Sequence, residues 1–451
     1  MKMTLIHPSI GRRPNQRYIR TWQMEPLPPA LIAGLTPKHI ETVFYDDRME
    51  KVPYDEPTDM VAISIETYTA KRVYQIASEY RRRKVPVVIG GFHASLCPDE
   101  VAQYAEAVVI GEAESLWLNV IDDIQHNTLQ KYYKNNERPS LGGNCYERSI
   151  FRNKRYLSIG LLETGRGCKF KCDFCAIQTV FDRSYSVRPV DEVVEEIKRL
   201  KKNKKFFFFV DDNFAADIKQ AKEFLRQVAP LKIKWVTQMS INAAHDEEFL
   251  SLLNKSGCQG VLIGFESLNK DTLKSMRKGF NTMSGGYEKA LDNLRRYNIR
   301  IYATFVFGYD NDTDDTFRET VDFALLHKFY ISAFNHLTPF PGTPLYKRLH
   351  EEGRLIYPKW WLDDNYNYNK IPFRPKNIHP DDLQQYCIEA RRAFYSSINI
   401  IKRAIDKVNA SNLFMLRNYF MINAMHRAEI SMRNHYPLGD LGWQGPLIKA
   451  Q

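Results

Sequence analysis

The chain has 451 residues, too many for one ordinary domain, and its 44% hydrophobic and 13% aromatic content is enough for more than one core. No apolar run approaches the roughly 20 residues of a membrane-crossing helix, so no membrane span is expected. The net charge of +11 invites a nucleic-acid partner, but the basic runs at 81–84 and 198–205 fall at predicted helix ends, where cations complement the helix dipole; nucleic acid is not expected. Seven cysteines, an odd number, and an opening without a signal peptide's apolar core suit a reducing, cytoplasmic setting better than a disulfide scaffold.

Residues 1–135 alternate short apolar strands with amphipathic helices, the pattern of a parallel sheet with crossovers. Strands are predicted at 3–6, 41–45, 60–65, 85–89 and 107–110, with helices at 28–34 and 70–83. Polar or glycine-rich turns follow the strands, at 9–13, 46–47, 66–68, 90–93 and 111–114, where an open α/β sheet takes its ligands. Residues 136–155, with Pro139 and Gly142-Gly143, read as a linker. A second α/β unit is predicted over 156–345, with strands at 156–162, 205–210, 234–238, 260–265, 300–307 and 330–337. Helices at 191–201, 215–228, 246–256 and 286–297 lie between them. The last region, 346–451, carries Trp360-Trp361 and a tyrosine-rich stretch that reads as a packed lid or platform, core being the commoner role of such an aromatic cluster and a substrate platform the alternative. Helices follow over 380–405 and 410–433, and the region is expected to shape the substrate chamber.

Just after the first strand of the second unit, Cys168, Cys172 and Cys175 form the pattern Cys-x3-Cys-x2-Cys. Thiolates so spaced suit three corners of a cubane [4Fe–4S] cluster and leave the fourth iron open for chemistry on a bound molecule. A zinc site wants a fourth ligand at matched spacing, which no nearby residue supplies. Cys97, Cys145, Cys258 and Cys387 are scattered and read as small buried hydrophobes. The later strand ends carry a polar set. Asp211, Asp212 and Asn213 open a helix, and two carboxylates exceed what an N-cap requires. Gln238, Ser240 and Asn242 alternate, as residues facing one side of a strand do. Glu266 reads either as a pocket carboxylate or as a structural one paired with arginine. Gly308 permits close backbone approach, Tyr309 and Asp310 are placed on the substrate side, and His336 is a candidate for substrate contact or proton transfer, with a core histidine as the alternative.

The run 165–175 resembles the radical S-adenosylmethionine (SAM) superfamily, whose motif is Cys-x3-Cys-x-aromatic-Cys; the aromatic here is Phe174. The resemblance implies a partial (β/α)6 barrel with chemistry at the strands' carboxyl ends. It also implies SAM chelated by the free iron, reductive cleavage to a 5′-deoxyadenosyl radical, and Phe174 beside the adenine. On the same footing Asp211, Asp212 and Asn213 would hold the methionine ammonium, Gln238 and Ser240 the ribose or carboxylate, and Gly308 the adenine. Glu266 lies in Gly264-Phe265-Glu266-Ser267, similar to the Gly-x-Glu-Ser segment of cobalamin-associated members, and would support the SAM-binding loop or the cluster.

The N-terminal half resembles the cobalamin-binding domain found in front of many such enzymes, through Ser64-Ile65-Glu66, the Gly90-Gly91-x-His-Ala segment and Gly111-Glu-x-Glu. Ser64 would lie near the lower base of cobalamin, and Gly90 and Gly91 would clear space for the nucleotide tail. The Asp-x-His-x-x-Gly loop that supplies an imidazole to cobalt is absent after the first strand, and Glu66 replaces a smaller or apolar residue. The fold class expected is therefore α/β: a Rossmann-like parallel sheet, a partial (β/α)6 radical SAM barrel and a mainly helical C-terminal region. The function expected is cobalamin-dependent C-methylation of a small-molecule substrate. The alternatives are cobalamin-independent radical chemistry with a vestigial N-terminal domain, or a non-catalytic iron–sulfur electron-transfer or regulatory protein. A flavodoxin or ferredoxin type reductant suits the basic surface.

Overall fold

The computed structural model describes residues 1–14, 23–282 and 286–450. The first sheet contains β1 (Lys2–His7), β2 (Glu41–Asp46), β3 (Met60–Ser64), β4 (Val87–Gly90), β5 (Ala107–Ile110) and β6 (Tyr132–Lys134). Its order is β2-β1-β3-β4-β5-β6, parallel throughout. The central strands are apolar on both sides because helices cover both. Ala62, Val88 and Val109 pack towards Leu27–Leu35 and Trp117–His126, while Ile63, Ile89 and Val108 pack towards Ala70–Arg82. The order reverses at β1, and the carboxyl ends beside it form the crevice where such sheets bind ligands. β6 lies outside the predicted strands. It is three residues long, and only Tyr133 is buried, so no apolar alternation announces it.

The second sheet contains β7 (Ile159–Leu162), β8 (Phe206–Phe209), β9 (Trp235–Gln238), β10 (Cys258–Glu266), β11 (Arg300–Phe307) and β12 (Ile331–His336). All are parallel and in chain order, with β7 and β12 at the edges: a partial (β/α)6 barrel. Phe209, Trp235, Ile263 and Phe305 point outward into one core shared with the surrounding helices. Their neighbours Phe208, Val236, Leu262 and Thr304 are half-buried and line the inner side. Asp217 and Asp246 cap the helices Ile218–Val228 and Glu247–Lys255 by accepting from the amides of Gln220 and Phe249.

The C-terminal region is mainly helical, with Pro380–Phe394, Ser397–Ala404 and Leu413–Arg433. Trp360 and Trp361 are fully buried and join the barrel to the first sheet: Trp360 Nε1 donates to the Pro339 carbonyl and Trp361 Nε1 to Glu100. Among the described residues no helix is long and apolar enough to cross a membrane.

Candidate active site

The cysteine loop grows from the carboxyl end of β7, and its base is braced before it reaches the first thiol. Gly165–Gly167 pairs antiparallel with Tyr185–Val187. Neither glycine has room for a side chain: a Cβ on Gly165 would meet Tyr185 Oη at 2.3 Å, and one on Gly167, at φ +97°, would meet the Ser184 carbonyl at 2.2 Å. Asp211, at the end of β8, accepts from the amides of Thr164 (2.6 Å) and Gly165 (3.1 Å) and from the Thr164 hydroxyl. Asp212 accepts from the Gly167 amide at 2.7 Å. Burial pushes Asp211 up to about 7 and Asp212 up to about 6, against the pull of those donors. Both therefore bind protons more readily in the folded chain than in the unfolded one, so their contribution to stability falls as pH rises from about 4 through about 7. Urea midpoints are expected to show that fall and Asp211→Asn to flatten it; an unchanged slope in the variant would acquit Asp211.

The thiols sit in a shielded shell. Cys172 is buried and Cys168 and Cys175 are half-buried. Burial raises all three, Cys172 to about 12. The backbone N–H of Phe170 points to Cys168, and those of Gln178 and Ile177 to Cys175. Asn213 Nδ2 lies 3.8 Å from Cys168 Sγ and 3.2 Å from Ser240 Oγ, while Asn213 Oδ1 accepts from the Ser240 amide. Gln238 Nε2 donates to the Asp211 carbonyl. Asn242 leaves the expected row, because the chain turns into a 3₁₀ helix, Ile241–His245, after β9. Among the described residues no three His, Cys, Asp or Glu side chains converge as on a single metal ion. A cubane asks something else: three thiolates, each on its own iron. Thiols supplied with backbone N–H donors and lacking a nearby fourth protein ligand fit that group.

One charged partner of the thiols escapes sequence reading. Lys278 is buried, its ammonium lies within electrostatic reach of all three sulfurs, and its Nζ contacts Glu266 Oε1 at 2.6 Å. Glu266 thus pairs with a lysine, not with the arginine considered from sequence. It stands at φ +63° where the register of β10 against β11 slips, a strained position for a non-glycine residue. Gly264 makes room for the pair, since a Cβ there would lie 2.1 Å from Glu266 Oε1. The segment carrying Lys278 is held to the cysteine loop by the Asp173 amide on the Met276 carbonyl and by Phe280 stacked on Phe170.

A cavity of about 330 Å³ connects the carboxyl ends of the two sheets. Ser64, Gly90, Gly91 and Gly111 edge it on the first sheet, Leu31, Val88 and Trp117 make its apolar wall, and Glu163, Arg166 and Asp212 close it on the barrel side. Gly91, at φ +116°, would place a Cβ 2.7 Å from the Ile65 carbonyl. Glu66 faces the cavity and leaves its carboxyl exposed to it. His93 does not line it: its ring is buried between Thr67 and Glu100. At the seam Arg166, from the cysteine motif, contacts Glu112 at 3.0 Å, Glu114 at 2.8 Å and Glu163 at 2.8 Å. The Glu-x-Glu turn is visible in sequence; its arginine partner, fifty-odd residues away, is not.

The radical SAM superfamily model matches residues 162–324. Bacteriochlorophyllide d C-12(1)-methyltransferase of Chlorobaculum tepidum is 33% identical over 85% of this chain and 85% of its own length. The chain belongs to the radical SAM superfamily. Bacteriochlorophyllide d C-8(2)-methyltransferase of the same organism is 30% identical over 83% of this chain and 86% of its own. Among solved structures, the radical SAM methyltransferase TsrM from Kitasatospora setae, with cobalamin and a [4Fe–4S] cluster bound, superposes with a TM-score of 0.63 at 17% identity, over 95% of this chain and 99% of that one. OxsB, a cobalamin-dependent SAM radical enzyme, gives 0.64 at 14%, over 96% and 72%. The radical SAM barrel here therefore follows a sheet with the fold of a cobalamin-binding domain.

The remaining sequence candidates of this radical SAM chain have other placements. Phe174, beside Cys175, is half-buried against the barrel core. Tyr309 is buried and its hydroxyl donates to Asp173 in the cysteine loop, so it braces that loop. Asp310 does not face a substrate chamber as a free carboxylate; it gathers Arg348 (2.8 Å), Arg354 (2.9 Å) and Lys376 (3.2 Å). Gly308, at φ +107°, is pressed against Leu383 and Phe373, so its missing Cβ admits the C-terminal region rather than standing open to a ligand. His336 is buried on the strand side it shares with Ser332 and Phe334, and burial lowers it to about 3. A ring so depressed is neutral at physiological pH and is poorly suited to carry a proton there. Among the described residues no hydrogen bond or ion pair joins Tyr309, Asp310 and His336.

Proposed function

We propose that this radical SAM enzyme methylates an unactivated carbon of a small-molecule substrate, with cobalamin as methyl carrier. The observation that carries the reading is the cavity: it opens an apolar slot in the first sheet, behind Ser64, Gly90 and Gly91, and runs to the barrel beside Asp212. A slot of that kind suits a bulky ligand with an apolar tail and a reactive end at the seam. A [4Fe–4S] cluster on the cysteine loop would supply one-electron cleavage of SAM, and cobalamin in the slot a transferable methyl group. Cys168, Cys172 and Cys175 would hold the cluster. Asn213 and Ser240, beside Cys168, would orient the amino-acid end of SAM, with Asp212 offering its cavity-facing carboxylate to the ammonium. Asp211 and Tyr309 would keep the loop in place. Two relatives of 30% identity or more, those described above, both carry bacteriochlorophyllide d in their names, which makes that tetrapyrrole the first substrate to test.

Electrons would come from an acidic flavodoxin or ferredoxin type protein, drawn by a surface that includes the exposed Lys169 and Lys171 beside the ligands. A reducing cytoplasm suits such a cluster, and all seven cysteines are free. The test is anaerobic reconstitution with SAM, a reductant and bacteriochlorophyllide d. Retained cobalamin, 5′-deoxyadenosine and methylated product are expected together. SAM cleavage without cobalamin retention would turn the reading to cobalamin-independent radical chemistry; iron retained without SAM cleavage would turn it to electron transfer. Gly91→Ala is expected to lower cobalamin retention at least about tenfold while the cysteine cluster loads normally, because the new methyl meets the Ile65 carbonyl in a backbone conformation alanine disfavours. Equal cobalamin content in wild type and variant would argue against a role for Gly91 in the slot.

A further inference from the structure

Seven of the fifteen large hydrophobic side chains exposed among the described residues fall within residues 398–421: Ile398, Ile401, Ile405, Leu413, Phe414, Phe420 and Met421. Ile405 is 78% exposed and Leu413 81% exposed, values that leave nearly the whole side chain in water. They lie on the helices Ser397–Ala404 and Leu413–Arg433 and the turn between them. Tyr419 donates to the Ile400 carbonyl and Arg427 to Ser397, so the two helices run antiparallel, side by side. Their buried sides, with Ile400, Arg403, Met415 and Tyr419, pack on the barrel. Apart from Phe414, which lies at the edge against the barrel, the apolar residues above therefore share the outward side.

Charge separates the possible occupants. Between 397 and 428 the basic side chains Lys402, Lys407, Arg417 and Arg427 are exposed. The one acidic residue in that interval, Asp406, is turned inward onto Arg295 and the amides of Val408 and Asn409. Isoleucine, leucine, phenylalanine and methionine rimmed by unopposed lysine and arginine match an anionic lipid surface, which takes apolar side chains below its headgroups and cations at them. A self-complementary contact between two copies would bring these cations together. We propose that this helical pair docks the enzyme on membranes containing anionic phospholipid.

The position of the pair keeps the chemistry open. Phe414 lies against Phe206 and under Lys234, and Arg300 reaches Ser411, so the pair sits by the amino ends of β8, β9 and β11. The cysteines are at the opposite, carboxyl ends. Docking is thus separable from catalysis, and it does not depend on which cofactor the first sheet binds.

Flotation of the anaerobically reconstituted full chain with phosphatidylcholine vesicles, with and without phosphatidylglycerol, tests the proposal. Binding is expected only with phosphatidylglycerol, and to weaken steeply with added salt. Lys402→Glu/Lys407→Glu should weaken it roughly tenfold or more, and Ile401→Asp/Ile405→Asp should abolish it. Both variants should keep the wild-type unfolding midpoint, since the altered side chains are exposed. No binding by the wild type, or binding untouched by both variants, would overturn the proposal. A dimer in sedimentation equilibrium that Ile401→Asp/Ile405→Asp dissolves, without vesicle binding, would assign the surface to a second copy instead.

Discussion

A Cys172→Ala chain is expected to hold no [4Fe–4S] cluster after anaerobic reconstitution and to cleave SAM at background rate, yet to fold. Cys172 is the most enclosed of the three thiols, with 8% of its surface accessible. Loss of one corner leaves two thiolates and no neighbouring protein ligand to take its place. The stability cost is small by comparison, about 1 kcal/mol, because alanine removes only one sulfur from a site whose walls belong to other residues. Iron content and the electron paramagnetic resonance of the reduced cluster read the first effect, and urea unfolding of the metal-free chain reads the second. Wild-type iron and SAM cleavage in the variant would sink the cluster assignment.

Lys278→Met is expected to have the largest stability effect of any single change near the site. It leaves the Glu266 carboxylate buried and without its 2.6 Å partner. Breaking one side of a buried pair costs about 3–5 kcal/mol, whereas removing both sides is often close to neutral. The double variant Glu266→Gln/Lys278→Met should therefore recover most of the loss. The same ammonium offsets negative charge around the three sulfurs. Its removal should make the cluster harder to reduce, lowering its potential in the single variant. In the double variant the loss of the carboxylate offsets part of that shift. Lys278→Arg keeps the charge and should stay near the wild-type potential. Unfolding midpoints and a redox titration followed by paramagnetic resonance separate these outcomes. If the single and double variants are equally stable, the ion pair is not what holds this corner together.

Much of the architecture was readable because it is written in short-range pattern. The runs of valine, isoleucine and phenylalanine at β3, β4 and β8 are long enough to mark strands, and polar helices between them imply parallel crossovers. β6 was missed because three residues at a sheet edge carry no such period. The site was legible unevenly. Aspartates and glycines at strand ends were visible as a set, but their duties were not. Asp211 spends its oxygens on the loop base, and Tyr309 reaches the same loop across 136 residues of chain. His336 had a helical shell on its side of β12 that spacing alone does not reveal, and burial there decides that its ring is neutral. Asp310 carried no mark of the three cations that surround it, because Arg348, Arg354 and Lys376 come from later segments.

The sequence by itself determined the radical SAM signature and the two parallel α/β units, since thiol spacing and strand periodicity are properties of neighbours along the chain. Tertiary structure alone decided what surrounds the thiols and what lies between the sheets. Lys278 beside the cysteines, Arg166 on three glutamates and the slot behind Gly91 all join segments distant in sequence. Their physics is that of burial: a charge, a strained glutamate or an empty volume acquires its meaning only when the fold has chosen its neighbours and removed the water.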